Sequence, residues 1–399
     1  NAVAFEYSPS GPIPITFEHL EDKEVFSYLA STAAWGPDGR LWVGKVTGQL
    51  EAITFDEDWN LVSKVTYPGV SALQNSDVLG IAFDPYDWRA GEPVRVYLAH
   101  GEHYINGGGS FSGPSPYTGQ ISTVEGPLFD TPQVLVTGLP VSNHDHGING
   151  LEFDHDGNLL ICVGGNTNAG VKWPLIGDLP ESPLSGAILR AFTMRPGFDG
   201  AVAYAFSDTG APSIDQVDGE EVDQVAGQVE VLATGLRNSY DLALSTRGTW
   251  YATDNGPNLG YGPPSTGAAT QGTLHPQEPD ELVLLESGRY YGHPNRSRER
   301  WNPWENVYHA PWQPDLGQAH TAPLTLLDSS ADGLVEYRSA AFGGQLRGDL
   351  ISQKWNAPLR WIDLSEDGRE ALSVTQLTPT LAGLDVVTGP GGALISADY

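Results

Sequence analysis

The chain has few cations, one cysteine and no long apolar run, and each shortage excludes something. Twenty lysines and arginines stand against fifty aspartates and glutamates, a formal net charge of -30. A surface so acidic repels a phosphate backbone at ordinary salt, which argues against a nucleic-acid partner. The charge reads first as a solubility device, and an anionic cofactor would need its own local cations. Cys162 is the single cysteine, so no internal disulfide is possible; inside an apolar run it reads as a packing residue. No apolar stretch reaches the length of a membrane span, so no membrane is expected. No segment sustains a 3.6-residue apolar period, which excludes a helix bundle.

What is abundant points the other way. With 48 glycines, 30 prolines and 10% aromatics, the composition suits many short strands joined by tight turns. Residue 1 is Asn and no leader segment is recognised, so the expectation is a mature or excised domain. The sequon Asn295-Arg296-Ser297 leans that expectation toward a secreted protein.

Apolar alternation, a tight glycine turn and a second apolar run recur along the chain. The best copies are residues 33–44 (AAWGPDGRLWVG), 151–164 (LEFDHDGNLLICVG) and 242–256 (LALSTRGTWYATDNG). Weaker copies surround Ile81 to Phe83, Leu350 to Ser352 and Val386 to Ser396. Each reads as an antiparallel hairpin. Six hairpins at irregular intervals of about 45 to 100 residues fit four-stranded blades with insertions, hence a six-bladed all-β propeller forming one domain over 1–399. Insertions at 104–117 and 258–279 read as surface loops. The run 301–312 (WNPWENVYHAPW) fits aromatics packed between blades or a platform for stacking sugars.

The unusual polar residues fall at two phases of the repeat, before the first strand and after the second, and so at one end of each hairpin. His146 lies five residues before Leu151, and Arg237 five before Leu242. His144, Asp145 and His146 sit in a polar run with no packing reason to hold two imidazoles and a carboxylate. A neutral imidazole is the usual general base, although His-x-His is also a zinc-ligand spacing and hydrogen-bonded structural histidines are common. Arg237 followed by Asn238 offers a fork and an amide for a carboxylate or oxyanion, or a structural ion pair. Asn255-Gly256-Pro257 offers bare carbonyls suited to calcium, or a plain turn.

Taken together, Asp145-His146 ahead of LEFDHDGNLLICVGG, then GLRNSYDLAL, DNGPN and PDELVLLESGRYYGHP resemble the soluble quinoprotein sugar dehydrogenases, over about 350 residues and in the family's order. The fungal pyranose dehydrogenase branch is the most similar. The resemblance implies a six-bladed propeller using pyrroloquinoline quinone and calcium, a pyranose substrate, and a haem-b cytochrome domain or other electron acceptor. By position, His146 implies the general base and Asp145 its substrate-contacting neighbour. Arg237, Asn238, Lys354 and His146 imply the quinone contacts, and Gly256 and Pro257 the backbone ligands of an active-site calcium. Gln74 or Asn75 implies a substrate contact, and Glu281 and Tyr291 a second, structural calcium. The implied reaction oxidises the anomeric hydroxyl to a lactone, with His146 removing the hydroxyl proton.

Two positions depart from the family. Its Arg-x-Arg pair before the last strands is replaced by Ala382 and Leu384, so that other cations such as Arg338 or Arg347 would have to serve, or cofactor affinity would fall. The aspartate that orients its base is replaced by Gly165 followed by Asn166. Two other readings remain: a calcium-dependent propeller hydrolase acting on lactones or phosphoesters, for which few side-chain carboxylates stand at the right phase, and a non-catalytic sugar-binding propeller.

Overall fold

A computed structural model describes residues 14–102, 117–142, 144–170, 179, 181–206, 222–259, 278–298, 320–328, 330–355, 357–381 and 383–399. Most of the 104–117 and 258–279 insertions, the aromatic run 301–312, Asn143 and Ala382 lie outside them.

Strands β1 (Ala30–Trp35), β2 (Leu41–Lys45), β3 (Leu50–Phe55) and β4 (Leu61–Tyr67) form the first four-stranded antiparallel blade. The second is β5 (Asp77–Ala82), β6 (Arg95–Gly101), β7 (Gly119–Glu125) and β8 (Gln133–Leu139). The third is β9 (Ile148–Phe153), β10 (Leu159–Val163), β11 (Ala187–Ala191) and β14 (Val229–Thr234), interrupted by a separate hairpin of β12 (Ala203–Phe206) and β13 (Val222–Ala226). The fourth is β15 (Leu242–Leu244), β16 (Trp250–Asp254), β17 (Asp280–Leu285) and β18 (Thr325–Leu327). The fifth is β19 (Ala331–Glu336), β20 (Leu350–Lys354), β21 (Ala357–Leu364) and β22 (Ala371–Leu381). A two-stranded sheet, β23 (Asp385–Thr388) and β24 (Leu394–Ala397), follows.

The first strands touch in the circular order β1, β5, β9, β15, β19, β23 and back to β1. Five complete blades are therefore seen where six were expected, and β23–β24 takes the remaining place in the ring.

The apolar pattern explains this stacking. Leu159, Ile161 and Val163 bury in one cluster with Tyr97, Ile121, Leu151 and Phe153, between the second and third blades. The alternate residues Leu160 and Cys162 bury in another with Ala233, Leu242 and Ala252, between the third and fourth. Both faces of β10 are covered, hence its unbroken apolar run LLICV. Each such Leu or Ile contributes roughly 1.5–3 kcal/mol by leaving water. At the hairpin ends Gly39, Gly157 and Gly248 have φ of 76°, 77° and 78°, the left-handed position that closes a type I turn at little cost only with glycine.

Polar bonds tie the innermost strands together. Asp385 Oδ2 accepts from Ala33 N at 2.8 Å, joining β23 to β1. Asp241 Oδ2 accepts from Leu334 N at 2.8 Å, joining the fourth blade to the fifth. Tyr240 reaches from the fourth position in the ring to the first, donating to Ser31 O at 2.8 Å.

Candidate active site

His146 enters the site on the segment leading into β9. Its amide donates to Ser142 Oγ at 2.9 Å, and its Nδ1 meets the Gly165 carbonyl, just after β10, at 2.7 Å. A carbonyl only accepts, so Nδ1 carries the proton. Burial, and then the Arg237 charge, push the imidazole down to about 4. The ring is therefore neutral at physiological pH, with an unprotonated Nε2 able to take a proton. The orienting partner that the sequence left open is thus a backbone carbonyl. Adding a Cβ to Gly164 would bring it within 2.6 Å of Asn238 Oδ1 and 2.7 Å of His146 Cβ, so glycine lets base and amide close together.

Beside the base, Asp145 Oδ1 lies 3.6 Å from His146 Nε2 and accepts from His144 Nδ1 at 2.5 Å. Its side chain is 47% exposed where that of His146 is 3% exposed, so the carboxylate fronts the open side of the site. The protein packed around it would raise its pKa. The adjoining His146 ring, the His144 hydrogen bond and Arg237 outweigh that and hold it well below the usual carboxylate range.

Arg237 is buried and pointed by the loop after β10. Its Nε donates to Asn168 O at 3.1 Å and its Nη2 to Asn168 Oδ1 at 3.0 Å. Its Nη1 donates to Asn255 O at 3.3 Å, adjacent to Gly256-Pro257. Asn238 donates to Asn255 Oδ1 at 2.9 Å and accepts from Asn149 Nδ2 at 3.0 Å. Asp254 fixes the turn, accepting from the amides of Arg237 at 2.9 Å and Asn238 at 2.8 Å. The structure therefore gathers His146, Arg237, Asn238 and Asn255 to Pro257 at one end of two adjacent hairpins. Asn168 was missed in the sequence; its one signal is the polar run GGNTN at the phase already found informative.

Gly256 N donates to Asp280 Oδ1 at 3.0 Å, and a Cβ there would lie 2.3 Å from Pro279 O, so the backbone approach admits glycine alone. The Pro257 carbonyl accepts from Glu278 N at 3.1 Å, leaving it one lone pair. Lys354 ends β20 on the same face, half-buried, and its ammonium makes no ion pair or hydrogen bond with the described residues. Gln74 is exposed and Asn75 half-buried before β5, where the Asn75 carbonyl accepts from the buried His100 Nδ1.

Several expectations are corrected. Arg338 pairs with Glu336 Oε2 at 2.8 Å and donates to Leu244 O at 2.8 Å. Arg347 lies in the connection from β19 to β20. Both therefore sit at the far ends of the hairpins and cannot replace the missing cation pair; Leu384 is buried. The carboxylates thought scarce at the axial phase are present: Asp241, Asp254, Asp280, Asp332 and Asp385 are all buried or nearly so. Asp241, Asp254, Asp280 and Asp385 accept from backbone amides. Among the described residues no three His, Cys, Asp or Glu side chains are placed to hold a metal. Glu281 lies on β17, and Tyr291 Oη donates to Leu284 O on the same strand at 2.5 Å. Burial, then Glu278 and Asp280, push Glu281 up to about 7. The sequon is closed, because Asn295 is fully buried and its Nδ2 donates to Ser182 O at 2.7 Å. No described helix is long and apolar enough to cross a membrane.

Chemically, the arrangement offers a neutral buried base, an exposed carboxylate beside it, a fixed guanidinium and an ammonium unpaired among the described residues, around an open end of the ring. No protein-family model matches the chain, and no curated protein does. Solved structures do. The soluble aldose sugar dehydrogenase of Escherichia coli is similar over 93% of both chains, at 17% identity and a TM-score of 0.56. The PQQ-bound aldose sugar dehydrogenase of Streptomyces coelicolor is similar over 97% of this chain and 91% of that one, at 16% identity and 0.54. The holo PQQ domain of pyranose dehydrogenase from Coprinopsis cinerea is similar over 92% and 90%, at 14% identity and 0.57. At these identities the likeness is one of fold, and it runs nearly end to end.

Proposed function

We propose that this chain is a sugar dehydrogenase dependent on pyrroloquinoline quinone and calcium, which oxidises a pyranose or other aldose at the anomeric hydroxyl to the lactone. In this reading β23–β24 is the inner half of a sixth blade. The single observation that carries it is the His146 tautomer: Nδ1 committed to Gly165 O, Nε2 unprotonated, with Arg237 and the 255–257 carbonyls assembled alongside.

The residues fit the cofactors. The quinone is a polyanion, and Lys354 is an ammonium without a partner among the described residues in a chain with fifty carboxylates. With Arg237 and Asn238 it would hold the quinone. Gly256 and Pro257 would present carbonyl oxygens to calcium, the hard donors that cation takes. When bound, the pair supplies a hydride acceptor and Lewis-acid polarisation.

The chain's own groups do the rest. His146 Nε2 takes the hydroxyl proton, a positioned base worth roughly 100- to 10,000-fold. Asp145, 3.6 Å away, steadies the imidazolium that results and faces the sugar, with Gln74 or Asn75 at the rim. Arg237, held by Asn168, keeps positive charge at the reacting end. A haem-b cytochrome domain or other carrier would receive the electrons, and secretion remains part of the proposal although the buried sequon lends it nothing. Replacing His146 with Ala should abolish sugar turnover while quinone still binds; retained oxidation would remove His146 from this role.

A further inference from the structure

We propose that Glu181, backed by His293, is the positioning residue of this site: it clamps the 165–168 turn, through which the imidazole of His146 and the guanidinium of Arg237 are presented as one unit. The inference rests on the reading of His146 as the base, but the clamp itself can be tested without turnover.

The turn is the shared element. Gly165 O accepts from His146 Nδ1 at 2.7 Å, and Gly165 N donates to Arg237 O at 2.6 Å. Asn168 holds the guanidinium through both its backbone and side-chain oxygens. A shift of this short segment therefore moves base and cation together. Gly170 N donates to Thr167 Oγ1 at 2.8 Å and Asn168 Nδ2 to Asn258 O at 3.0 Å, but a turn followed by a loop is ordinarily among the softer parts of a fold.

Glu181 supplies the constraint from below. Its side chain is 2% exposed. Oε1 accepts from Thr167 N at 2.9 Å, Thr167 Oγ1 at 2.6 Å and His293 Nε2 at 2.8 Å. Oε2 accepts from Asn166 N at 3.2 Å and from Ser185 Oγ. A carboxylate this deep is very costly without such donors. His293 N in turn donates to Gly235 O at 2.8 Å, tying the clamp to the segment that carries Arg237. His293 Nδ1 has no hydrogen-bond partner among the described residues, which leaves the proton on Nε2, aimed at Glu181. The packing has no slack: a Cβ on Gly165 would lie 2.9 Å from Glu181 Oε1, His293 Nε2 and Arg237 O.

The experiment uses the full chain as wild type, Glu181→Gln and Thr167→Val. Glutamine keeps the shape but presents an amide where Asn166 N and Ser185 Oγ need an acceptor; valine removes one donor to Oε1 and, with it, the acceptor of Gly170 N. Side-chain 15N NMR of His146 should report a single Nδ1–H tautomer in the wild type and a mixed one in Glu181→Gln, with Thr167→Val between. With quinone and calcium added, kcat should fall about 10- to 100-fold in Glu181→Gln, the scale of a misplaced catalytic group, while KM for the sugar changes less than about threefold. Should Glu181→Gln fail to fold, Thr167→Val carries the test in the same direction. Folded variants that keep the wild-type His146 tautomer and kcat would overturn the proposal. A wild type that oxidises no sugar would instead overturn the functional reading, with the NMR arm still deciding the clamp.

Discussion

At the scale of single residues the site turns on one proton. His146 is neutral because burial and Arg237 disfavour its charged form, and its pKa falls to about 4 from the usual 6.5. A base must be deprotonated to act, so activity is lost as pH drops through the folded-state value and not before. The acid limb of sugar turnover should centre near pH 4, not 6.5; a pH profile of kcat/KM checks this, and a limb near 6.5 would count against His146 as a desolvated base. His146 and Arg237 were legible in the sequence because each stands at the same offset from a hairpin. The partner that orients His146 was not. It is a main-chain carbonyl, and no side chain marks it. Glu181 and His293 were equally hidden, since 112 positions separate them and neither falls at a repeating phase.

At the scale of elements, the β9–β10 hairpin and the turn after it do most of the positioning. Gly164 lets His146 and Asn238 approach from opposite sides. Gly164→Ala should therefore cost about 1–3 kcal/mol by overpacking yet lower kcat/KM by about 100-fold, because a small displacement of reacting groups is disproportionately costly. Chemical denaturation and steady-state kinetics on the same sample check the pair; unchanged turnover would show that the contact is slack. Hairpins with clean alternation were readable, as in β9–β10 and β15–β16. β19 was harder, because Asp332 and Gly333 occupy buried inner positions where an apolar alternation is the expected signal. The β12–β13 hairpin inserted in the third blade carries too little apolar pattern to be anticipated.

At the scale of the whole molecule, the ring closes through buried acids. Asp385 bonds Ala33 N and Thr32 Oγ1 across the β23–β1 junction. Burial raises its pKa despite those bonds, and burial together with Asp385 raises that of Asp241. The folded chain thus holds protons that the unfolded chain releases above the ordinary carboxylate range. Stability from these groups is greatest in acid and declines as pH rises through their raised folded values. Asp385→Asn, which keeps an acceptor without the charge, should gain in unfolding temperature relative to wild type at pH 8 compared with pH 4. An equal difference at both pH values would contradict the buried-charge account. The propeller class was legible from recurrence of hairpins; the incomplete sixth sector was not, because a two-stranded sheet and a four-stranded blade share the same inner hairpin signal.

One measurement reaches all three scales: absorbance titration of the full chain with pyrroloquinoline quinone, with and without calcium, followed by dye reduction with a panel of pyranoses. The account predicts saturable quinone binding that calcium tightens, and turnover with at least one pyranose. A chain that leaves the quinone spectrum unchanged at every calcium concentration, and reduces no dye, would contradict it.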